Sequence, residues 1–332
     1  MKIYNFKEAP LKVHGINFDE QGSIYRIPVS VAQKVNEITA KRTKNAVGGR
    51  VRFKTNADVI EISIKLASNN VDWAMPISGS VGADVFVGKG FDAKRIGNIA
   101  PRDYSTTEFT GKVIKSAEME TVTINLPRNE PVVDLYISVD DKFSVQEPDD
   151  YTYTKPIVYY GSSITEGGCA SAPGSAYTSI VSRWLDSDYV NLGFSNAAHG
   201  ELAAADYIAG LDMSVLVMDY DYNAASVAEL EATHEPFFAR IRKAQPELPI
   251  VFISSANFKR NVEVNSKRRE VIKKTYENAK AVGDNKVWFI DGEILYGDFD
   301  QSLCTVERVH PNDLGFMMMA KNIYPTIKEI IE

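Results

Sequence analysis

The stretch Tyr159-Tyr160-Gly161-Ser162-Ser163-Ile164-Thr165-Glu166-Gly167 places a serine directly after a run of β-branched and aromatic residues. That run, residues 156–160, predicts a short buried strand that ends at Gly161. A serine at this point would lie on a strand-to-helix turn at the rim of a sheet. Because a hydroxyl is a weak nucleophile until a neighbouring base accepts its proton, a reactive serine here requires a base from elsewhere in the chain.

A candidate base lies near the C-terminus, in Val309-His310-Pro311-Asn312-Asp313-Leu314-Gly315. His310 falls in a predicted tight turn before an apolar helix. Ser163 and His310 are therefore the predicted nucleophile and general base. The structural alternatives are that Ser163 caps the following helix and that Asp313 holds His310 at a helix start. The histidines without a comparable setting are His14, His199 and His234.

Together these segments resemble the SGNH (GDSL-type) hydrolases. Gly161-Ser162-Ser163-Ile164 is similar to the first block of the family, which implies that Ser163 is the nucleophile. The usual aspartate of this block is Ser162 here, as in carbohydrate-esterase branches of the family. Glu307-Arg308-Val309-His310 is similar to the fifth block, which implies that an acid three residues before the histidine completes a triad.

The resemblance also implies an oxyanion hole that involves Ser163, Asn196 and Asn223. Asn191-Leu192-Gly193-Phe194-Ser195-Asn196 is similar to the second block, where the last backbone N–H is a donor. Asp219-Tyr220-Asp221-Tyr222-Asn223 is similar to the third block, where the asparagine side chain is the other donor. The structural alternative for Asn223 is a cap of the turn that follows.

Two positions depart from the usual pattern of the family. Asn196 stands in place of a glycine, and asparagine tolerates positive φ better than most other residues. Glu307 stands in place of an aspartate, and a carboxylate that is one methylene longer can still accept a hydrogen bond from imidazole. The alternatives for Glu307 are a surface carboxylate and a backbone carbonyl that orients His310 in its place.

Residues 1–152 predict a jelly-roll-like β-sandwich, because short segments alternate between apolar and polar residues and are separated by Gly, Pro, Asn and Asp. Gly82-Ala83-Asp84-Val85-Phe86 resembles the Gly-x-Asp-Leu-Tyr segment in the N-terminal domain of the same esterase group. The predicted strands are 50–54, 59–66, 83–87, 121–126 and 132–139.

After the polar junction Glu147–Tyr151, residues 153–332 alternate strands with amphipathic helices. This pattern favours an α/β fold with a parallel sheet, and the resemblance specifies a three-layer, flavodoxin-like SGNH domain. Ser163, Asn196 and Asn223 each follow a predicted strand, and ligands bind at that edge of such sheets. The predicted strands are 156–161, 188–193, 214–219, 249–254 and 287–291, and the predicted helices are 176–185, 227–243, 268–281 and 316–331.

Composition limits the partners of the chain. The 332 residues are 44% hydrophobic with a net charge of −7 and no basic stripe, so nucleic acid and membrane surfaces are not expected partners. The N-terminus has no apolar signal region, and a cytoplasmic location is expected. In that compartment Cys169 and Cys304 are expected to be buried thiols rather than a disulfide. The sequence leaves the oligomeric state open.

The resemblance implies removal of a small acyl group, above all acetyl, from a carbohydrate, and the expected substrate is a soluble oligosaccharide with no cofactor required. Asp219 and Asp221 lack metal-ligand spacing, so no metal site is expected. Trp73 and Gly193 are candidate substrate contacts, with a core or interdomain tryptophan and a strand-end glycine as the structural alternatives. The functional alternatives are a lipid or thioester hydrolase, and a glycan-binding protein with an inactive hydrolase domain.

Overall fold

The structure is a computed structural model that describes residues 1–70, 72–298 and 300–332. These residues form two compact units, and each unit is built from three segments of the chain. The first unit comprises Met1–Arg26, Lys44–Thr154 and Cys169–Val190, and the second comprises Ile27–Thr43, Lys155–Gly168 and Asn191–Glu332. The predicted division into domains 1–152 and 153–332 stays a prediction.

Antiparallel sheets dominate the first unit. Its strands, within the described residues, are β1 (Lys2–Asn5), β2 (Lys12–His14), β3 (Asn17–Phe18), β4 (Ile24–Tyr25), β5 (Arg50–Thr55), β6 (Val59–Leu66), β7 (Ala83–Val87), β8 (Lys94–Ile99), β9 (Glu108–Ile114), β10 (Glu120–Asn125), β11 (Val132–Val139) and β12 (Val145–Gln146). One sheet has the order β1-β11-β6-β9. A second has the order β12-β5-β10-β7-β8, with β2 also paired to β5, and β3 and β4 form a separate two-stranded sheet.

The alternation of apolar residues explains how these sheets form a sandwich. In β6, Ile60, Ile62, Ile64 and Leu66 are buried, whereas Val59 is exposed. Buried residues of β5, β7, β10 and β11 join the same hydrophobic core, as expected for two sheets packed face to face. The sequence did not predict β8 and β9, because polar and glycine residues interrupt their apolar pattern.

The second unit contains most of a parallel sheet that is formed by β13 (Tyr153–Gly161), β14 (Ser187–Gly193), β15 (Val215–Asp219), β16 (Ile250–Ile253) and β17 (Val287–Ile290). The strand order is β14-β13-β15-β16-β17. β15 is buried along its whole length, as its continuous apolar sequence predicts for a central strand. The predicted fold class, an α/β domain with a parallel sheet preceded by a β-sandwich, is confirmed.

The helices are α1 (Val29–Val35), α2 (Glu37–Arg42), α3 (Ile77–Ser80), α4 (Ser163–Glu166), α5 (Tyr177–Leu185), α6 (Leu202–Ala209), α7 (Val227–Ala244), α8 (Val262–Ala281) and α9 (Asp313–Ile331). The predicted starts of α8 and α9, at residues 268 and 316, are too late. Asn261 caps α8 and Asn312 caps α9, so each helix begins directly after its capping side chain. In the described parts of the chain, no helix combines the length and the apolar character that a membrane span requires.

Four of these helices, α1, α2, α3 and α6, were not predicted, for a physical reason. α1 and α2 are short and lie in the stretch that was predicted to be mostly β. α6 follows the second motif directly and is rich in alanine, so it has a weak apolar face. Helices of one or two turns depend on tertiary packing more than on their own sequence.

Candidate active site

Ser163 lies on a tight strand-to-helix turn. The N–H of Ser162 donates to the carbonyl of Asp219 on β15 at 3.2 Å, and the Ser162 hydroxyl accepts from the N–H of Ile164 at 3.2 Å. Ser163 is then the first residue of α4. Gly161 is required before this turn, because a Cβ there would lie 2.0 Å from the Thr165 hydroxyl and 2.3 Å from the Asp219 carbonyl.

His310 is held in a closed turn directly before α9. The N–H of Val306 donates to the His310 carbonyl at 2.9 Å, and the N–H of Asn312 donates to the Cys304 carbonyl at 2.9 Å. The Asn312 side chain then caps α9 by accepting from the N–H of Gly315 at 3.0 Å. The turn thus fixes the histidine relative to a long helix of the second unit.

The structure brings Ser163, His310 and Glu307 into one hydrogen-bonded chain. The Ser163 Oγ lies 2.7 Å from His310 Nε2, and His310 Nδ1 is hydrogen bonded to Glu307 Oε1. A carboxylate can only accept, so Nδ1 carries the proton of the neutral ring and Nε2 is free to accept from the serine. This is the arrangement that a serine nucleophile needs.

The Glu307 carboxylate is itself held by the backbone of the turn. Its Oε1 accepts from the N–H of His310 at 3.0 Å, and its Oε2 accepts from the N–H of Val309 at 2.9 Å. Its side chain is 17% exposed, whereas that of His310 is 29% exposed. The group that contacts the imidazole is therefore a partly buried side-chain carboxylate rather than a backbone carbonyl.

The other histidines have different partners. His234 is buried beside the Thr275 hydroxyl at 2.8 Å, and burial lowers its pKa to about 3. His199 contacts Glu229 at 2.9 Å, and His14 contacts Asp188 at 3.0 Å. Each of these contacts accounts for its histidine without a serine.

The two predicted oxyanion donors besides Ser163 contact each other. Asn196 has a φ of 55°, in the left-handed region, and its N–H donates to the Asn223 side-chain oxygen at 3.2 Å. The Asn223 amide nitrogen donates to the carbonyls of Phe194 at 2.9 Å and Ala198 at 3.1 Å. These two acceptors determine which end of the amide is nitrogen. Asn223 therefore braces the loop that carries Asn196, and its role as an oxyanion donor stays a prediction.

Replacing Asn223 with alanine is expected to lower kcat by about a hundredfold, because one oxyanion donor contributes roughly that much. The same change removes the brace of residues 194–198, so the melting temperature should also fall. Asn223→Asp keeps the acceptor for the Asn196 N–H but loses the amide donors, so its activity should fall as in the alanine variant. Steady-state kinetics on an acetate ester test this, and a change in KM alone would make Asn223 a substrate-binding residue.

Gly193 and Trp73 have contrasting environments. Gly193 is buried at the end of β14, where a Cβ would lie 2.6 Å from the backbone nitrogen of Glu166. Close packing against α4 therefore accounts for this glycine. Trp73 is 83% exposed in the first unit, so the alternative of a core tryptophan is wrong. A direct substrate contact stays a prediction for both residues.

Glu307 also forms part of the wall of a cavity of about 440 Å³ within the second unit. Arg260, Arg268 and Arg308 line the same cavity. Arg268 donates to the Ala224 carbonyl at 2.7 Å, whereas Arg260 and Arg308 form no ion pair among residues 1–70, 72–298 and 300–332. The lining of this cavity is therefore polar and positively charged, and Glu307 is the one triad residue that contributes to it.

Sequence reasoning missed two residues near this cavity. Arg308 has a φ of 70°, which is unfavourable for a non-glycine residue, and the side chain of Asn257 donates to its carbonyl. Asn257 follows β16, so it occupies the same strand-end position that drew attention to Ser163, Asn196 and Asn223. A search for polar residues after the carboxyl end of every predicted strand would have identified Asn257.

A parallel α/β sheet with a Ser-His-Glu chain at the carboxyl ends of its strands defines a serine hydrolase type of site. The GDSL-like lipase/acylhydrolase family model matches residues 154–328. A second model, for the N-terminus of SGNH-hydro-type esterases, matches residues 1–145. The chain belongs to the GDSL-like lipase/acylhydrolase family and is an SGNH-type hydrolase, as its motifs predicted.

Solved structures share the whole architecture at low sequence identity. A Bacteroides ovatus ATCC 8483 protein described as a GDSL-like lipase is 23% identical, with a TM-score of 0.88 over 99% of this chain and 98% of its own. The salicylyl-acyltransferase SsfX3 of a tetracycline biosynthetic pathway is 18% identical, with a TM-score of 0.79 over 99% and 97%. A family two carbohydrate esterase from Clostridium thermocellum is 16% identical, with a TM-score of 0.64 over 96% and 98%. No curated protein sequence matches this chain significantly.

Proposed function

We propose that this protein is a serine esterase that removes small acyl groups, most often acetyl, from a carbohydrate. The observation that carries the proposal is the chain from Ser163 through His310 to Glu307, with 2.7 Å between the serine oxygen and the imidazole nitrogen. These groups supply a nucleophile, a base and an orienting acid from the protein itself. Acyl transfer to water then requires no further reactive group.

The proposed reaction has two steps. Ser163 Oγ attacks the ester carbonyl as its proton passes to His310 Nε2, and His310 then returns that proton to the departing sugar oxygen. His310 next takes a proton from water, which attacks the acyl-serine, and it returns that proton to Ser163 Oγ as the bond to the acyl group breaks and the free acid leaves. Glu307 keeps the imidazole in one tautomer and stabilises its charged form in both steps.

The carbohydrate part of the proposal is supported by the polar cavity that adjoins Glu307, the one triad residue in its lining. The cavity beside Glu307 is lined by Tyr222, Ser255 and several amide and guanidinium side chains, which can hydrogen bond to sugar hydroxyl groups. A long acyl chain would instead need an apolar groove. The similar fold of family two carbohydrate esterases is consistent with such a substrate.

A series of 4-nitrophenyl esters from acetyl to decanoyl is the first test. We expect kcat/KM to be highest for acetyl and to fall with chain length. A maximum at long chains would favour a lipid or thioester hydrolase, and no turnover of any ester would favour a glycan-binding protein. Mass spectrometry of acetylated oligosaccharides would then identify the sugar and the deacylated hydroxyl.

Trp73→Ala is expected to reduce activity on acetylated oligosaccharide at least several-fold more than activity on 4-nitrophenyl acetate. An aromatic face is a good platform for a sugar ring, and the 83% exposure of Trp73 leaves that face open. Because Trp73 is exposed, its removal should hardly change the melting temperature. Trp73→Phe, which keeps an aromatic ring, is the control. Equal losses on both substrates would show that Trp73 does not contact the sugar.

A further inference from the structure

β5 places two arginines on the same face of the first unit. Successive residues of a strand point to opposite faces, so Val51 and Phe53 enter the hydrophobic core while Arg50 and Arg52 face away from it. Both arginines are nevertheless buried, with relative exposures of 2% and 1%. A buried guanidinium keeps its charge and is costly unless the protein pairs it.

Arg50 is fully paired. Its guanidinium forms an ion pair with Asp188 and donates twice to the Tyr189 carbonyl, at 3.1 Å each. Its Nε donates to the Tyr151 hydroxyl at 3.1 Å. Arg50 therefore has both a carboxylate partner and acceptors for its N–H groups, as a buried cation usually requires. It can be compared directly with Arg52, which lies two residues later on the same strand.

Arg52 lacks this compensation. Its Nε and Nη1 are buried without a hydrogen-bond partner, and no carboxylate in the described part of the chain forms an ion pair with it. The contact that the protein does supply is the ring of Tyr151, whose centroid lies 3.7 Å from the guanidinium carbon. A stacked ring stabilises a cation but does not satisfy its N–H groups. Arg52 therefore lacks an acceptor.

A cavity of about 40 Å³ adjoins Arg52. Four cationic side chains and one carboxylate line it: Arg50, Arg52, Lys89, Arg183 and Asp186. The Asp186 carboxylate is already engaged, because it accepts from the Thr152 hydroxyl at 2.8 Å. Lys89 forms an ion pair with Asp149 at 3.5 Å, and Arg183 donates to the Gly174 carbonyl at 3.1 Å. Burial lowers the pKa of Arg183 to about 10, although the nearby Asp84 carboxylate acts in the opposite direction. One water needs about 10–15 Å³, so the cavity has room for a few waters or one small oxyanion.

We propose that this cavity binds a small oxyanion, such as inorganic phosphate or a carboxylate, with Arg52 and Arg183 as the main ligands. Guanidinium groups match the geometry of both anions, and an anion would supply the acceptors that Arg52 lacks. All lining residues belong to the first unit, whereas Ser163, His310 and Glu307 belong to the second. The expected consequence of binding is therefore a more stable protein.

Thermal unfolding with inorganic phosphate tests the proposal. As phosphate rises from about 0.1 to about 20 mM at constant ionic strength, the melting temperature of the wild type should rise by about 5 °C, and above the dissociation constant it should rise with the logarithm of the phosphate concentration, because the ligand binds only the folded state. Phosphate also stabilises proteins generally by exclusion from their surface, but that effect is shared by variants that lack the site. A parallel titration with acetate distinguishes a phosphate site from a carboxylate site.

Arg52→Met should abolish the part of this rise that is due to binding and leave only the small general effect of exclusion. Methionine has a similar length, and an apolar replacement of a buried charge is often neutral or stabilising, so the variant should unfold no earlier than the wild type in anion-free buffer. Arg102→Met removes one positive charge from an exposed position of the same unit and should behave like the wild type. Calorimetry of the wild type should find one anion per chain. A wild type without saturable binding of either anion, or an Arg52→Met variant that keeps it, would overturn the proposal.

Discussion

Ser163→Ala is expected to lower kcat for ester hydrolysis by about a millionfold, the usual effect of removing a triad nucleophile. The Ser163 Oγ is the atom that forms the acyl-enzyme, and it lies 2.7 Å from His310 Nε2. An alanine side chain has no oxygen that could replace it. The serine is half-buried on a turn whose backbone bonds come from Ser162 and Asp219, so the fold should be unchanged. Turnover of 4-nitrophenyl acetate and circular dichroism measure the two effects.

The control for Ser163→Ala is Ser266→Ala, which removes a half-buried hydroxyl from α8 in the same unit. That variant should retain nearly full activity. If Ser163→Ala kept more than a few per cent of wild-type activity, Ser163 would not be the nucleophile. The family assignment would stand, because it does not depend on this residue alone.

His310→Ala is expected to be almost as damaging, because the serine would lose its proton acceptor and the leaving sugar its proton donor. The same kinetic assay measures the loss. His199→Ala is the matched control, since His199 is another half-buried histidine of the second unit with a carboxylate partner. Comparable losses in the two variants would indicate a general structural effect and would remove His310 from the proposed mechanism.

Glu307→Gln should cost less than the loss of His310, on the order of ten-thousandfold, as in triads where the acid orients the base. The amide would keep the size of the side chain, but it would lose the charge that stabilises the imidazolium. Activity close to that of the wild type would assign the orienting role to another group. In that case the esterase proposal would remain intact.

Local pattern predicted the parts of the site that depend on neighbouring residues. The buried run before Gly161 predicted the strand and turn of Ser163, and the polar turn before an apolar helix predicted the setting of His310. Errors occurred where side-chain caps extend helices, as at Asn261 and Asn312, and where strands are polar, as in β9. A capping side chain bonds to a backbone N–H two or three residues later, so the start of a capped helix can be predicted from the local sequence. A polar strand has no such local pattern, because its pairing with distant strands defines it.

The sequence by itself determined the fold class and the residues of a possible triad, because periodicity and short motifs are local properties. Only the tertiary structure decided that Ser163 and His310, which are 147 positions apart, lie 2.7 Å from each other. It also decided that Asn223 braces the loop of Asn196 and that Arg52 is buried without an acceptor while Arg50 is paired. The physical reason is that burial and hydrogen-bond satisfaction depend on which distant segments pack together, and no local pattern specifies those contacts.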